Sequence, residues 1–111
     1  MQGDLHTHTV ASDGSCTREE VFIRAKSEGI EVLAITDHDT IDEPDEDKAF
    51  SQKYGIFSVY GTELSTFDYS RHRRVHILCY YPQDTGIIRS ICRKTTQNRQ
   101  EVFLSSILCR L

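Results

Sequence analysis

His6 and His8 stand two residues apart near the start of the chain. On an extended strand, residues i and i+2 point to the same side, about 6–7 Å apart along the backbone. Two imidazoles so placed can converge on one cation, although the pair equally suits an exposed strand. Asp13 follows in the turn Ser12-Asp13-Gly14-Ser15, where an aspartate is either an oxygen ligand or a turn former bonding its own backbone. Asp37-His38-Asp39 comes directly after an apolar stretch, a placement that packing does not explain. Asp37 reads as a carboxylate that orients His38 from behind, and Asp39 as a helix cap or a turn residue. Glu63 follows Gly61, which allows close backbone approach, and its two oxygens could bridge two cations. His76 sits in the apolar run Val75 to Leu78, where a histidine is either a ligand or a hydrogen-bonded core residue. His72, among Arg71, Arg73 and Arg74, reads as a surface residue. A mixed histidine and carboxylate set suits Mn²⁺, Zn²⁺ or Fe²⁺ better than Mg²⁺ or Ca²⁺, which prefer all-oxygen shells.

The elements that must position these groups alternate along the chain. Gly3 to Thr9 is predicted as a strand. Thr17-Arg18-Glu19-Glu20 is a capping box opening a helix to about Glu28, with Gly29 suited to its end. Glu31 to Thr36 has the β-branched, apolar character of a strand buried on both faces. A helix is expected from Asp42 or Pro44 to Tyr54, a third strand over Ile56 to Tyr60 with Glu63 just past it, and a fourth over Arg74 to Tyr81. One long helix follows, from Thr85 to Arg110. The order implies an α/β architecture with a largely parallel sheet, whose sites form at the carboxyl ends of strands. His6, His8, His38 and Glu63 fall at such positions, and His76 lies within the fourth strand.

Length and composition bound the rest. With 111 residues, 38% hydrophobic and 27% charged, a single domain over 1–111 is expected rather than a disordered chain. No apolar run approaches the roughly 20 residues a membrane span requires. No signal peptide is evident, and the four cysteines form no C-x-x-C pair, so free thiols in a cytoplasmic protein are expected. Cys79 reads as a core residue. Residues 1–70 carry a net charge of −10 and residues 71–111 one of +6. The first half suits cations and the second phosphate or nucleic acid. The acidic run Asp42 to Asp47 reads as a solvated face.

Taken together, His6-Thr7-His8-Thr9 with Ser12-Asp13-Gly14, and Ile35-Thr36-Asp37-His38-Asp39-Thr40, resemble the first two motifs of the PHP (polymerase and histidinol phosphatase) family. Gly61-Thr62-Glu63-Leu64-Ser65 and Val75-His76-Ile77-Leu78-Cys79-Tyr80 resemble the next elements. The spacing is similar to small stand-alone PHP phosphoesterases acting on nucleotides, nucleoside bisphosphates or RNA 5′ ends. The resemblance implies a distorted (β/α)7 barrel with up to three divalent metals, Mn²⁺ foremost and Zn²⁺ or Fe²⁺ as alternatives. It makes His6 and His8 ligands of the first metal, Glu63 a bridge to the second, His76 a ligand of the second, and Asp13 and His38 ligands of the third. The implied reaction is phosphate-ester hydrolysis by metal-activated water, with no side-chain nucleophile.

The resemblance also has a gap. No histidine follows His76, so each implied metal would lack one ligand the family carries downstream. About four strands are present where a full barrel needs 200 or more residues, roughly. The chain is therefore expected to be the N-terminal, incomplete part of the barrel, with open edges favouring a missing C-terminal half or self-association. Three readings follow: a phosphoesterase completed by further sequence or a partner, a catalytically incomplete remnant that binds metal or serves as an interaction module, and a nucleic-acid-binding piece using Arg89, Arg93, Lys94 and Arg99.

Overall fold

The computed structural model describes residues 1–41 and 45–110, with side chains described up to residue 98. Its elements are β1 (Gly3–Thr7), α1 (Arg18–Ser27), β2 (Val32–Ile35), α2 (Asp45–Tyr54), β3 (Phe57–Asp68), β4 (Arg73–Tyr80) and α3 (Thr85–Arg110). The strands form one sheet in the order β1-β2-β3-β4. The first three are parallel, and β4 returns antiparallel to β3.

The capping box at Thr17 and Glu20 forms as expected, with each side chain bonding the other residue's amide. Phe22 and Ala25 of α1 pack with Leu33 and Ile35 of β2 and with Ile56, and Phe50 and Tyr54 of α2 close over them. Phe22 is fully buried, which stabilises this layer by about 2–3 kcal/mol. A second cluster joins Leu64, Ile41 and Cys92 and seats α3 on the opposite face of β3 from Glu63. Cys79 packs against it, as a partly buried thiol.

Three expectations need correction. β1 ends at Thr7, because Thr9 leaves the ladder to bond Asp37. β3 does not stop at Tyr60. It pairs with β2 through Tyr60 and, from Gly61 onward, also pairs with β4 along its other edge. Leu64, Thr66 and Phe67 supply the strand-forming character for this extension. Glu63 thus lies inside a strand, just past the point where β4 joins it. The sheet is also less parallel than expected, since the β3–β4 turn is a hairpin in which Asp68 accepts hydrogen bonds from Ser70 and Arg71. The predicted start of the second helix, at Asp42 or Pro44, lies outside the described residues.

Candidate metal centre

The sheet brings four imidazoles into a row. Ring centroids are 5.1 Å apart for His6 and His8, 4.5 Å for His8 and His38, and 5.0 Å for His38 and His76. Glu63, 4% exposed, stands at their centre. Its Oε2 is 2.9 Å from His6 Nε2, 2.7 Å from His8 Nε2 and 3.7 Å from His38 Nε2, while Oε1 is 3.3 Å from His76 Nδ1. Asp13 caps the other side: it contacts His8 Nδ1, and its Oδ2 lies 3.2 Å from His38 Nε2.

Backbone pairing aims these groups. β2 ends at Ile35, yet its continuation stays zipped to β3: the Glu63 amide donates to the Asp37 carbonyl, and the Asp39 amide to the Glu63 carbonyl. That bridge sets His38 beside Glu63. Asp39 then turns away with a φ of 54°, and its carboxylate accepts the Ser65 amide at 2.8 Å. Asp39 is therefore a turn residue, one of the alternatives its sequence left open. His76 arrives from β4 opposite Ser65, on the face that Glu63 also occupies.

The electrostatics favour positive charge here. Burial pushes the Glu63 carboxyl pKa up, but the His6 hydrogen bond and the charges of His38, His6 and His8 outweigh it and hold the pKa below 4.5. The Asp13 carboxyl is lowered chiefly by its hydrogen bond with His8. Burial lowers the His8 pKa, and the hydrogen bond and charge of Asp13, joined by Glu63, more than offset this, leaving it raised above 6.5. A divalent cation would satisfy the same two carboxylates that draw positive charge to His8.

The fit to metal ions rests on the donors themselves. Three overlapping triads have all their ligand atoms within 4.8 Å of one another: His6, His8 and Glu63; His8, Asp13 and His38; His38, Glu63 and His76. His8 Nε2 is buried and has no hydrogen-bond partner, although it lies 2.7 Å from Glu63 Oε2. A buried ring nitrogen without an aligned partner is a donor atom open to a metal ion. Imidazole and carboxylate donors suit Mn²⁺, Zn²⁺ and Fe²⁺.

Behind the triads lies a network that residue spacing did not reveal. The Asp37 carboxylate, 2% exposed, accepts Thr9 N at 2.7 Å, Thr9 Oγ1 at 2.6 Å and Ser12 Oγ at 2.7 Å. Arg18 reaches it at 3.2 Å and grips Asp47 with two bonds of 2.7 Å. Asp37 thereby holds the loop between His8 and Asp13, rather than bonding the His38 ring as the sequence suggested. Asp47 is buried in this pair, so the expectation of a solvated face fails for that residue, while Asp45 and Glu46 are exposed. The partnership of Arg18 with Asp47 spans two helices and leaves no short-range signal.

The sequence profile of the PHP domain matches residues 4–105. The chain belongs to the PHP domain family. It is 36% identical over 100 residues to the phosphoribosyl 1,2-cyclic phosphate 1,2-diphosphodiesterase of Eggerthella lenta, covering 89% of this chain and 38% of that protein. It is 44% identical over 63 residues to a 5′-3′ exoribonuclease of Haemophilus influenzae, covering 57% and 23%. The fold superposes with a TM-score of 0.79 and 34% identity on a structure assigned as a metal-dependent phosphoesterase from Bifidobacterium adolescentis, covering 90% of this chain and 35% of that one. This PHP domain therefore spans well under half the length of the relatives it matches, and its α/β sheet is the N-terminal part of their fold.

Within this PHP domain, all six sequence-predicted ligand candidates come together. His72 does not join them: it sits in the β3–β4 turn with a φ of 51°, its ring 6.2 Å from Phe67. Arg89 and Arg93 line a cleft of about 270 Å³ with Thr40, Ile41 and Cys92, on the Leu64 side of the sheet and so opposite the ligands. The Arg99 side chain lies outside the described residues. No helix among the described residues is long and apolar enough to cross a membrane.

Proposed function

We propose that this PHP domain is the ligand-bearing part of a metal-dependent phosphoesterase, with His6, His8, Asp13, His38, Glu63 and His76 holding up to three divalent metals, Mn²⁺ foremost. The observation that carries this is the set of three triads converging on Glu63, His8 and His38. Metals held there supply Lewis acidity toward water and toward phosphate oxygens. The chain's own contribution is placement. Glu63 and Asp13 stay ionised at neutral pH, as their lowered pKa values require. The Asp37, Thr9 and Ser12 bonds keep the His8 to Asp13 loop from moving when charge enters the site. No side chain among the six is set up as a nucleophile, so the attacking oxygen comes from water.

For substrate, the reading favours phosphate esters of nucleotides, nucleoside bisphosphates or RNA 5′ ends. Supporting it are the cyclic phosphodiesterase and exoribonuclease named above, whose substrates are a phosphorylated sugar and RNA by their names. A cytoplasmic setting fits the free thiols of Cys16, Cys79 and Cys92.

A second reading has its own observation. The chain covers 38% of the diphosphodiesterase it resembles, and each triad offers three residues. On that basis the isolated chain binds metal without turnover, as a metal-binding or interaction module, until further strands or a partner complete it. Elemental analysis of protein purified with Mn²⁺ and without chelator, alongside hydrolysis of p-nitrophenyl phosphate and its bis ester, separates the two. Bound metal with turnover supports the enzyme. Bound metal without turnover supports the incomplete module. Absence of bound metal rejects both.

A further inference from the structure

Tyr80 spans the concave face of the sheet from its far edge. β1 and β4 are the two edge strands, separated by β2 and β3, yet the Tyr80 hydroxyl donates a hydrogen bond to the Leu5 carbonyl. Three separate features converge on that contact. The β1–β2 register slips between Asp4 and Thr7: three steps along β1 are matched by two along β2, from Leu33 to Ile35. Leu5 and His6 therefore sit in a bulge, the device that re-aims a side chain beside a site. Gly61 pairs opposite Tyr80. A Cβ there would lie 2.9 Å from Tyr80 Cδ1 and 2.8 Å from the Cys79 carbonyl, so glycine clears the space the tyrosine ring occupies. Alternation along β4 puts Tyr80 on the same face as His76, which is also the face that carries Glu63.

We propose that Tyr80 is a positioning residue of the metal centre, its hydroxyl holding the bulged Leu5–His6 peptide so that His6 and His8 meet Glu63. This rests on the reading of the cluster as a metal centre. A bulge gives a strand local freedom, and a one-residue slip turns its side chains to the other face. In β1 such a slip would carry His6 away from Glu63. The Tyr80 bond opposes it from a strand that also supplies His76, and so ties the His6, His8 and Glu63 triad to the His38, Glu63 and His76 triad.

The test uses the full 111-residue chain as wild type, Tyr80→Phe, Gly61→Ala and the control Tyr81→Phe, whose hydroxyl faces the Ser58 carbonyl instead. Mn²⁺ binding is titrated by calorimetry, and Co²⁺ binding is followed by visible absorption. Tyr80→Phe is expected to weaken the tightest Mn²⁺ step by about tenfold, the usual scale for a group that orients a ligand, and to change the Co²⁺ spectrum. Gly61→Ala does the same with the hydroxyl still present, and Tyr81→Phe does neither. A purely structural role would lower the melting temperature and leave Mn²⁺ affinity and the Co²⁺ spectrum of the folded protein unchanged, which overturns the proposal. If Tyr80→Phe does not fold, Gly61→Ala decides by the same two readouts. A wild-type chain that takes up neither ion overturns the metal reading itself, and this inference with it.

Discussion

Thr9 gives the Asp37 carboxylate two hydrogen bonds, from its amide at 2.7 Å and its hydroxyl at 2.6 Å, and both residues are buried. Through that pair the end of β2 holds the loop leading from His8 to Asp13. The Arg18 guanidinium completes the arrangement by contacting Asp37 and gripping Asp47. Asp37→Ala leaves Arg18 with a missing partner and the Thr9 and Ser12 donors unsatisfied. The expected loss of stability is about 3 kcal/mol, the scale for breaking a buried ion pair. Urea denaturation measures it, and a loss under about 1 kcal/mol, no more than one ordinary hydrogen bond contributes, would show that the network holds little.

Glu63 belongs to two triads and Asp13 to one. Glu63→Ala should therefore remove more bound metal per chain than Asp13→Ala, and His8→Ala should also weaken binding, since His8 is shared by two triads. Far-UV circular dichroism should stay close to wild type in all three. Elemental analysis gives the count. Wild-type metal content in Glu63→Ala and His8→Ala would remove the basis for the proposed centre.

Gly14 is packed against the His8 backbone so closely that a Cβ would lie 2.5 Å from the His8 carbonyl oxygen and 2.9 Å from the Thr9 nitrogen. These are backbone atoms of the ligand loop and cannot swing aside. Gly14→Ala should cost about 1–3 kcal/mol, as for overpacking elsewhere, and should weaken metal binding with it. Thermal melts with and without Mn²⁺ test both parts, and a variant as stable as wild type would show that the loop has room to give.

Glu19 of α1 accepts hydrogen bonds from Lys53 at 2.9 Å and from the Tyr54 hydroxyl at 2.8 Å, both at the end of α2. The Lys53 bond first, then that of Tyr54, lowers the Glu19 pKa below 4.5. A carboxyl lowered in the folded state contributes stability above its unfolded value and loses it as pH falls through the folded one. The α1–α2 tie should therefore persist at pH 4.5 and fail only below it. Carboxyl NMR titration of Glu19 should show this, with the value returning toward 4.5 in Lys53→Met. An unchanged titration in that variant would show that the exposed lysine is screened by solvent.

Much of the site could be read before any folding was considered. Ligand-type residues recur where strand patterns end, because side chains that leave a parallel sheet at its carboxyl end have no packing duty. His6, His8, His38 and Glu63 were singled out in this way, Asp13 from an adjoining turn and His76 from inside a strand, and the capping box at Thr17 and the long helix α3 were legible as well. The local code is short-range, and these signals are short-range too. What the linear pattern did not contain was pairing. That β3 runs on past Tyr60 to pair with β4 from Gly61, that β4 runs antiparallel, and that β1 carries a bulge at Leu5 and His6 all depend on which strands meet. The same holds for Arg18 with Asp47, 29 residues apart, and for Tyr80 with Leu5, 75 apart. Residue types and spacing determined which groups could bind a metal. Only the tertiary structure decided which groups hold them in place, because contacts between distant segments are set by the sheet's register and by packing across it.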